Sequence, residues 1–97
     1  MTTTLGQVRE RLNPYVGAVL RALREETRKT REEIYAELED PGFSMETFGR
    51  IERGTTPITT AHLEVLGERY GVEIAVIFER AVDLRAREMP GGRTRPE

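Results

Sequence analysis

Between Ser44 and Gly54 the sequence SMETFGRIERG gathers Met45, Glu46, Arg50, Glu52 and Arg53 within three turns of what reads as one short helix. Ser44 is an N-cap residue type, Phe48 and Ile51 stand three apart, and Gly54 sits where a left-handed cap would end the helix. Such a helix can bury only its Phe48/Ile51 stripe, so Met45, Glu46, Gly49, Arg50 and Arg53 must point elsewhere. Their chemistry is recognition by charge, hydrogen bonding and apolar contact. Cysteine is absent and His62 is the only histidine, which removes disulfide frameworks, thiol nucleophiles, Cys/His zinc sites and any histidine-based triad. No nucleophile, base and oxyanion donor cluster anywhere, so an enzyme is not expected, and neither a cofactor nor a metal is called for.

Composition bounds the scaffold that must hold this helix. Ninety-seven residues with 37% hydrophobic content suit one domain, too small for two cores and large enough to fold without metals or disulfides. No apolar run approaches 18 residues, and the N-terminus MTTTLGQVRE lacks a basic start followed by an apolar core. Neither a transmembrane helix nor a signal peptide is supported, and a cytoplasmic protein is expected. The net charge of -2 argues against strong nonspecific nucleic-acid binding. Charge is nevertheless segregated: residues 1 to 31 hold seven Arg/Lys against three Glu, residues 32 to 46 hold six acids and no base, and residues 47 to 97 balance at eight each.

Taken in order, the elements read as helices throughout. Thr4 and Gln7 have capping-box spacing, and Leu5, Val8 and Leu12 follow at helical intervals. Asn13-Pro14 is predicted to stop that helix and to start a second one running to about Arg28, with Val16, Val19, Leu20 and Leu23 as its apolar face. Thr30-Arg31-Glu32-Glu33 is another capping box, opening a helix that buries Ile34 and Leu38, partly covers Tyr35, and ends near Glu39. Asp40-Pro41-Gly42 is a turn signal leading to the Ser44 cap. Thr59 or Thr60 caps the next helix, whose stripe is Leu63, Val65, Leu66 and Tyr70, and Gly71 closes it. The five apolar residues Ile74 to Phe78 would suit a buried strand, but no partner strand exists, so a helix to about Glu88 is predicted. Residues 90 to 97 cannot bury anything and are expected to be disordered. The fold expected is all-α: a compact bundle of five to six short helices containing a helix-turn-helix. It divides into an appended helix over 1–13, the helix-turn-helix domain with its C-terminal extension helix over 14–88, and a tail over 89–97.

With one helix opening at Thr30-Arg31-Glu32-Glu33-Ile34, the next at Ser44, and Arg50-Ile51-Glu52-Arg53-Gly54 closing it, the chain resembles the Cro and lambda-repressor (XRE-type) helix-turn-helix family. Pro57-Ile58-Thr59 and the run from Leu63 to Tyr70-Gly71-Val72 extend the likeness, which covers roughly Val19 to Arg80. The resemblance implies that the first motif helix braces on the DNA backbone while the second lies in the major groove. Carried over by position, Met45, Glu46 and Arg50 would face the bases, and Arg31, Thr47 and Thr55 would approach phosphates. Arg24 and Glu52 fall where the family often has a structural ion pair. In base-edge chemistry Arg50 suits guanine, Glu46 can accept from cytosine, and Met45 offers apolar contact to a thymine methyl. Three features depart from the family pattern. Met45 and Glu46 are poor general DNA contacts, since glutamate is repelled by phosphate, which leaves Arg50 as the good base reader of the three. The turn between Leu38 and Ser44 is about three residues longer and carries Glu39 and Asp40, and Tyr35 stands where a small residue is preferred at the helix crossing. Either the two helices splay or the longer turn makes room for the ring.

The implied function is a sequence-specific DNA-binding transcriptional regulator, nucleoid-associated in the cytoplasm, whose partner is double-stranded DNA and which acts as a homodimer on a palindromic operator. Leu5, Val8 and Leu12 at one end, and Ile77, Phe78, Ala81 and Leu84 at the other, lie largely outside the family's usual core and are the candidates for a dimer contact. A second reading belongs to another class. The same scaffold could serve as a protein-interaction module, with the acidic 32 to 46 zone binding a partner regulator or the transcription machinery. More simply, these acids form a solvated face, Arg85, Arg87, Arg93 and Arg95 solubilise the C-terminal end instead of tracking phosphates, and His62 is a surface residue of its helix.

Overall fold

The computed structural model describes residues 5–88, with side chains from Leu12 onward. The Thr4/Gln7 capping box, the Leu5 and Val8 side chains and the tail of residues 89–97 lie outside the described residues. Five helices follow in order: α1 (Leu5–Glu26), α2 (Arg31–Glu37), α3 (Met45–Arg53), α4 (Thr60–Tyr70) and α5 (Ile74–Glu88). The architecture is all-α, and the described residues include no strand. Ile74 to Phe78 opens α5 rather than forming a buried strand. With no second apolar strand to pair with, that segment satisfies its backbone only by helical bonding.

The predicted break at Asn13-Pro14 does not occur, and one 22-residue helix passes through it. A proline inside a helix removes one i to i−4 bond and crowds the preceding turn, a local cost of about 3 kcal/mol. Tertiary contacts on both sides of Pro14 offset that cost. The Asn13 side-chain amide donates to the Thr56 carbonyl at 3.4 Å. Val16, Val19, Leu20 and Leu23 are buried in the common core. The helix backbone also lies directly on the end of α3: a side chain at Gly17 would begin 2.4 Å from the Ile51 carbonyl oxygen and 2.7 Å from that of Glu52. A chain anchored in register before and after the proline has no room to change direction at it.

α1 is the central strut, packing along α5 and against α3, while α2 packs on α3 and α4 on α5. One core joins them, with Ile34 from α2, Phe48 and Ile51 from α3, Ile58 from the following loop, Leu63 and Leu66 from α4, and Ile77 and Ala81 from α5. Ile77 and Ala81 are fully buried within the monomer. As dimer candidates these two are therefore corrected: their side chains are enclosed by α5's packing against its own chain. Leu84 is partly buried, and Phe78 and Val82 are the large apolar side chains α5 leaves exposed.

Local rules set the helix ends. Thr59 caps α4 by accepting from the His62 amide at 3.1 Å, and the Thr59 amide donates back to His62 Nδ1 at 3.1 Å. His62 is thus not a bare surface residue. It completes a capping box and meets Phe43 edge-on with ring centroids 5.2 Å apart. Burial pushes its pKa below the ordinary imidazole value, because the charged form is poorly solvated there. Nδ1 must keep its lone pair to accept, which acts in the same direction. A depressed histidine pKa means the unfolded chain takes up the proton first. This contribution to stability is complete above about pH 6.5 and declines as pH falls below that value. Denaturant titrations at pH 7.5 and 5.5 are expected to show a larger drop in stability for the natural chain than for His62→Gln, whose amide can still close the capping box. Equal drops for the two proteins would contradict this assignment.

Candidate nucleic-acid interface

The first motif helix is short because its caps lie close together. Thr30 Oγ1 accepts from the Glu33 amide at 3.1 Å while Glu33 Oε1 accepts from the Thr30 amide at 2.8 Å. At the other end the Leu38 amide turns back to the Tyr35 carbonyl, closing α2 at Glu37. The long connection to Ser44 then uses two left-handed residues, Asp40 (φ 48°) and Gly42 (φ 82°). Aspartate is among the few side chains that adopt this conformation readily. The turn makes room for Tyr35. Its ring packs among Phe43 and Phe48, with centroids 6.3 and 6.5 Å away, and its hydroxyl donates to the Phe43 carbonyl at 2.7 Å. A small residue at that crossing would leave the extra turn without its filling and without its fastening.

α3 starts at Ser44, whose Oγ accepts from the Thr47 amide at 3.0 Å, and ends at left-handed Gly54. Phe48 and Ile51 face the core as their spacing requires, and Gly49 and Glu52 are buried with them. Glu52 is 4% exposed. Its two oxygens accept from Arg24 Nε at 2.8 Å and an Arg24 terminal nitrogen at 3.0 Å, a bidentate pair that ties α3 to α1. Arg24 also donates to the Lys29 carbonyl at 2.9 Å, so the same guanidinium holds the α1 to α2 link. Hydrogen bonding to Glu52 holds Arg24 even more firmly charged than an ordinary arginine, outweighing the desolvation that acts against it.

Arg31 joins this pair. It approaches Glu52 Oε1 at 3.4 Å while about a third of its side chain (34%) stays exposed. Two guanidiniums thus share one carboxylate at the opening of α2, whose first turn also carries the acids Glu32 and Glu33. Arg53 lies nearby: its terminal nitrogen lies 3.3 Å from where a Gly49 side chain would begin, and the Arg31 guanidinium carbon lies 3.8 Å from the same point. No local spacing rule signals this convergence, because it depends on α2 and α3 crossing at that angle.

The three residues assigned to the outer face of α3 differ in placement. Met45 is partly buried and packs against the core, whereas Glu46 and Arg50 are exposed and form an i, i+4 ion pair at 2.9 Å. Thr47 is partly buried beside Ser44, its hydroxyl accepting from Ser44 Oγ at 3.1 Å, while Thr55 is exposed just beyond the cap and donates to the Arg50 carbonyl at 3.4 Å. Glu46, Thr47, Arg50 and Thr55 therefore lie along one helix and its exit, with Arg31 at the start of the preceding helix. The connected helix pair thus sets this row of α3 beside the Arg24, Arg31 and Arg53 cluster.

Comparison with protein families shows a match to the family described as "Helix-turn-helix domain" over residues 16–77, more than half of the chain. This chain belongs to the XRE-like helix-turn-helix family of DNA-binding domains. Comparison with curated proteins and with solved structures gives no significant match. In this helix-turn-helix, α2 and α3 are the motif pair. The family match begins at Val16 and ends at Ile77, so the first half of α1 and most of α5 lie outside it. No helix of the described residues is long and apolar enough to cross a membrane.

Three of the six acids of the acidic zone are engaged within the chain. Glu33 closes the α2 capping box, Glu46 pairs with Arg50, and Glu37 bridges Lys29 and Arg69, the latter at 2.6 Å. Hydrogen bonds from Lys29 and Arg69 lower the Glu37 pKa, favouring the charged carboxylate that bridges the α1 to α2 link and α4. The 29/37/69 spacing carries no sequence signal of its own.

Proposed function

We propose that this protein is a sequence-specific transcriptional regulator that lays α3 in the major groove of double-stranded DNA, as a homodimer on a palindromic operator in the nucleoid. The observation that carries the reading is the exposed Glu46/Arg50 row of α3, flanked by the partly exposed Arg31, in a chain of a DNA-binding family. Arg50 would read a base edge, with Glu46 and Met45 beside it, and Arg31, Thr47 and Thr55 would lie along phosphates. With two copies presenting α3, half-sites would stand about 34 to 36 Å apart. Arg50→Ala is expected to weaken binding by about 1 to 3 kcal/mol at one base position only, whereas Arg31→Ala weakens binding to all sequences alike. Fluorescence anisotropy on a selected duplex and on a scrambled one separates them. Equal losses on both duplexes for Arg50→Ala would remove base reading from its role.

For the dimer contact, the exposed Phe78, with Val82 one turn on and the partly buried Leu84, remains on α5 once Ile77 and Ala81 are assigned to the core. Phe78 also borders a cavity of about 490 Å³ with Leu12, Val16 and Ile58. Phe78→Glu is expected to convert a dimer to a monomer in size exclusion with light scattering while its circular dichroism stays helical. A mutant that is folded and still dimeric would place the contact elsewhere. The protein-interaction reading has less support, since Glu33, Glu37 and Glu46 already have partners within the chain; Glu32, Glu39 and Asp40 are what it would rest on.

A further inference from the structure

We infer that Glu46 is a specificity-determining residue that acts through Arg50: it holds the guanidinium over the base edges and keeps it off the phosphate backbone. This rests on the DNA-reading function proposed above and concerns the side chains that carry it. On α3 the Glu46 carboxylate accepts from one terminal nitrogen of Arg50 at 2.9 Å, four residues along the same exposed face. Arginine has five donors in a planar fork, and a carboxylate taking one of them leaves a second edge with two parallel donors. That edge matches the O6 and N7 acceptors of guanine.

The carboxylate has a second effect. An unpaired Arg50 could bind any phosphate it reached, on any sequence. With Glu46 attached, each approach of the pair to a phosphate brings a negative charge along, which cancels the gain. A guanine edge carries no net charge and imposes a smaller penalty. The pair therefore weakens nonspecific contacts more than specific ones, which is discrimination by repulsion of the wrong partner. Arg31 and Arg53, set back beside Gly49, supply the backbone attraction, so the outer row of α3 need not. An acidic residue on a DNA-facing helix, poor as a general DNA contact, becomes intelligible as the counterion of the reader.

An exposed i, i+4 pair can also do no more than support its helix, and the test separates that role from this one. A duplex recovered from a random library by in vitro selection with the natural chain is compared with a scrambled duplex, at low and moderate salt, for the natural chain, Glu46→Gln and Glu46→Asp. Glu46→Gln removes the charge; one unit charge at about 4 Å in water corresponds to about a fivefold effect, and the scrambled duplex is expected to bind about fivefold more tightly. The ratio of selected to scrambled affinity is expected to fall about tenfold, within the range of one bidentate contact. Glu46→Asp keeps the charge but is too short to hold Arg50, so the ratio falls without tighter scrambled binding. Thermal melting records any loss of helix. If both variants leave the ratio unchanged while the natural chain still binds DNA, or if both duplexes weaken by one common factor, Glu46 is only a helix-supporting residue and the inference fails. If the natural chain binds no duplex at all, the DNA-reading function fails and this inference with it.

Discussion

Glu52→Gln is expected to destabilise the fold by about 3 to 5 kcal/mol, the usual cost of removing one partner from a buried ion pair. The carboxylate is nearly inaccessible and is the acceptor for Arg24, and Arg31 leans on the oxygen that the Arg24 terminal nitrogen also uses. A glutamine amide offers one oxygen and turns its own donors toward a guanidinium. Arg24, only 12% exposed at its side chain, would then be a desolvated cation facing Arg31 without a counterion. The pair itself is a different matter from the cost of breaking it. Arg24→Met with Glu52→Leu removes both desolvated groups and is expected to recover most of the loss, because apolar replacements of similar volume commonly match a buried pair. Urea unfolding of the single and double variants, with an unchanged denaturant slope, measures this. A loss below about 1 kcal/mol for Glu52→Gln would show that the site is wetter than its burial indicates.

Gly54→Ala is expected to cost about 2 to 5 kcal/mol and Gly71→Ala only about 1 to 2, although the two glycines share the same backbone angle. Both cap a helix with φ of 71°. An alanine in that left-handed conformation costs about 1 to 2 kcal/mol wherever it stands. The difference lies in what surrounds the added methyl group. At Gly71 nothing lies within 4 Å, while at Gly54 it would begin 2.4 Å from the Pro14 Cα and 2.7 Å from its nitrogen. Neither is the tip of a flexible side chain; both are backbone, so α1 and α3 must move apart, adding about 1 to 3 kcal/mol of overpacking strain. Because that shift tilts α3, Gly54→Ala should also weaken DNA binding where Gly71→Ala does not. Thermal melts that displace both variants equally would mean that the α1 to α3 contact yields without cost.

These two sites mark the limit of sequence reasoning for this chain. Both glycine caps, the Thr30 and Ser44 caps, the helical nature of Ile74 to Phe78 and the all-α outcome were legible, because caps and periodicity act over four or five residues and the sequence carries both halves of each signal. The helix-turn-helix family was legible for the same reason, as an ordered series of such local signals. What lay across the chain was not. The helix stop at Asn13-Pro14 is a sound local rule, overridden by the contacts of Asn13 with Thr56 and of Pro14 with Gly54, 43 and 40 residues away. Ile77 and Ala81 share an apolar stripe with Phe78, and only the packing of α5 on α1 decided which of them is core and which is exposed. The sequence by itself determined where the helices are and which residue types line α3. Tertiary structure decided that α1 continues through its proline, that Tyr35 fills the long turn, and that Arg31 shares Glu52 with Arg24. Each depends on the angle and distance between helices, which are set by the summed burial of one core and not by any segment of it.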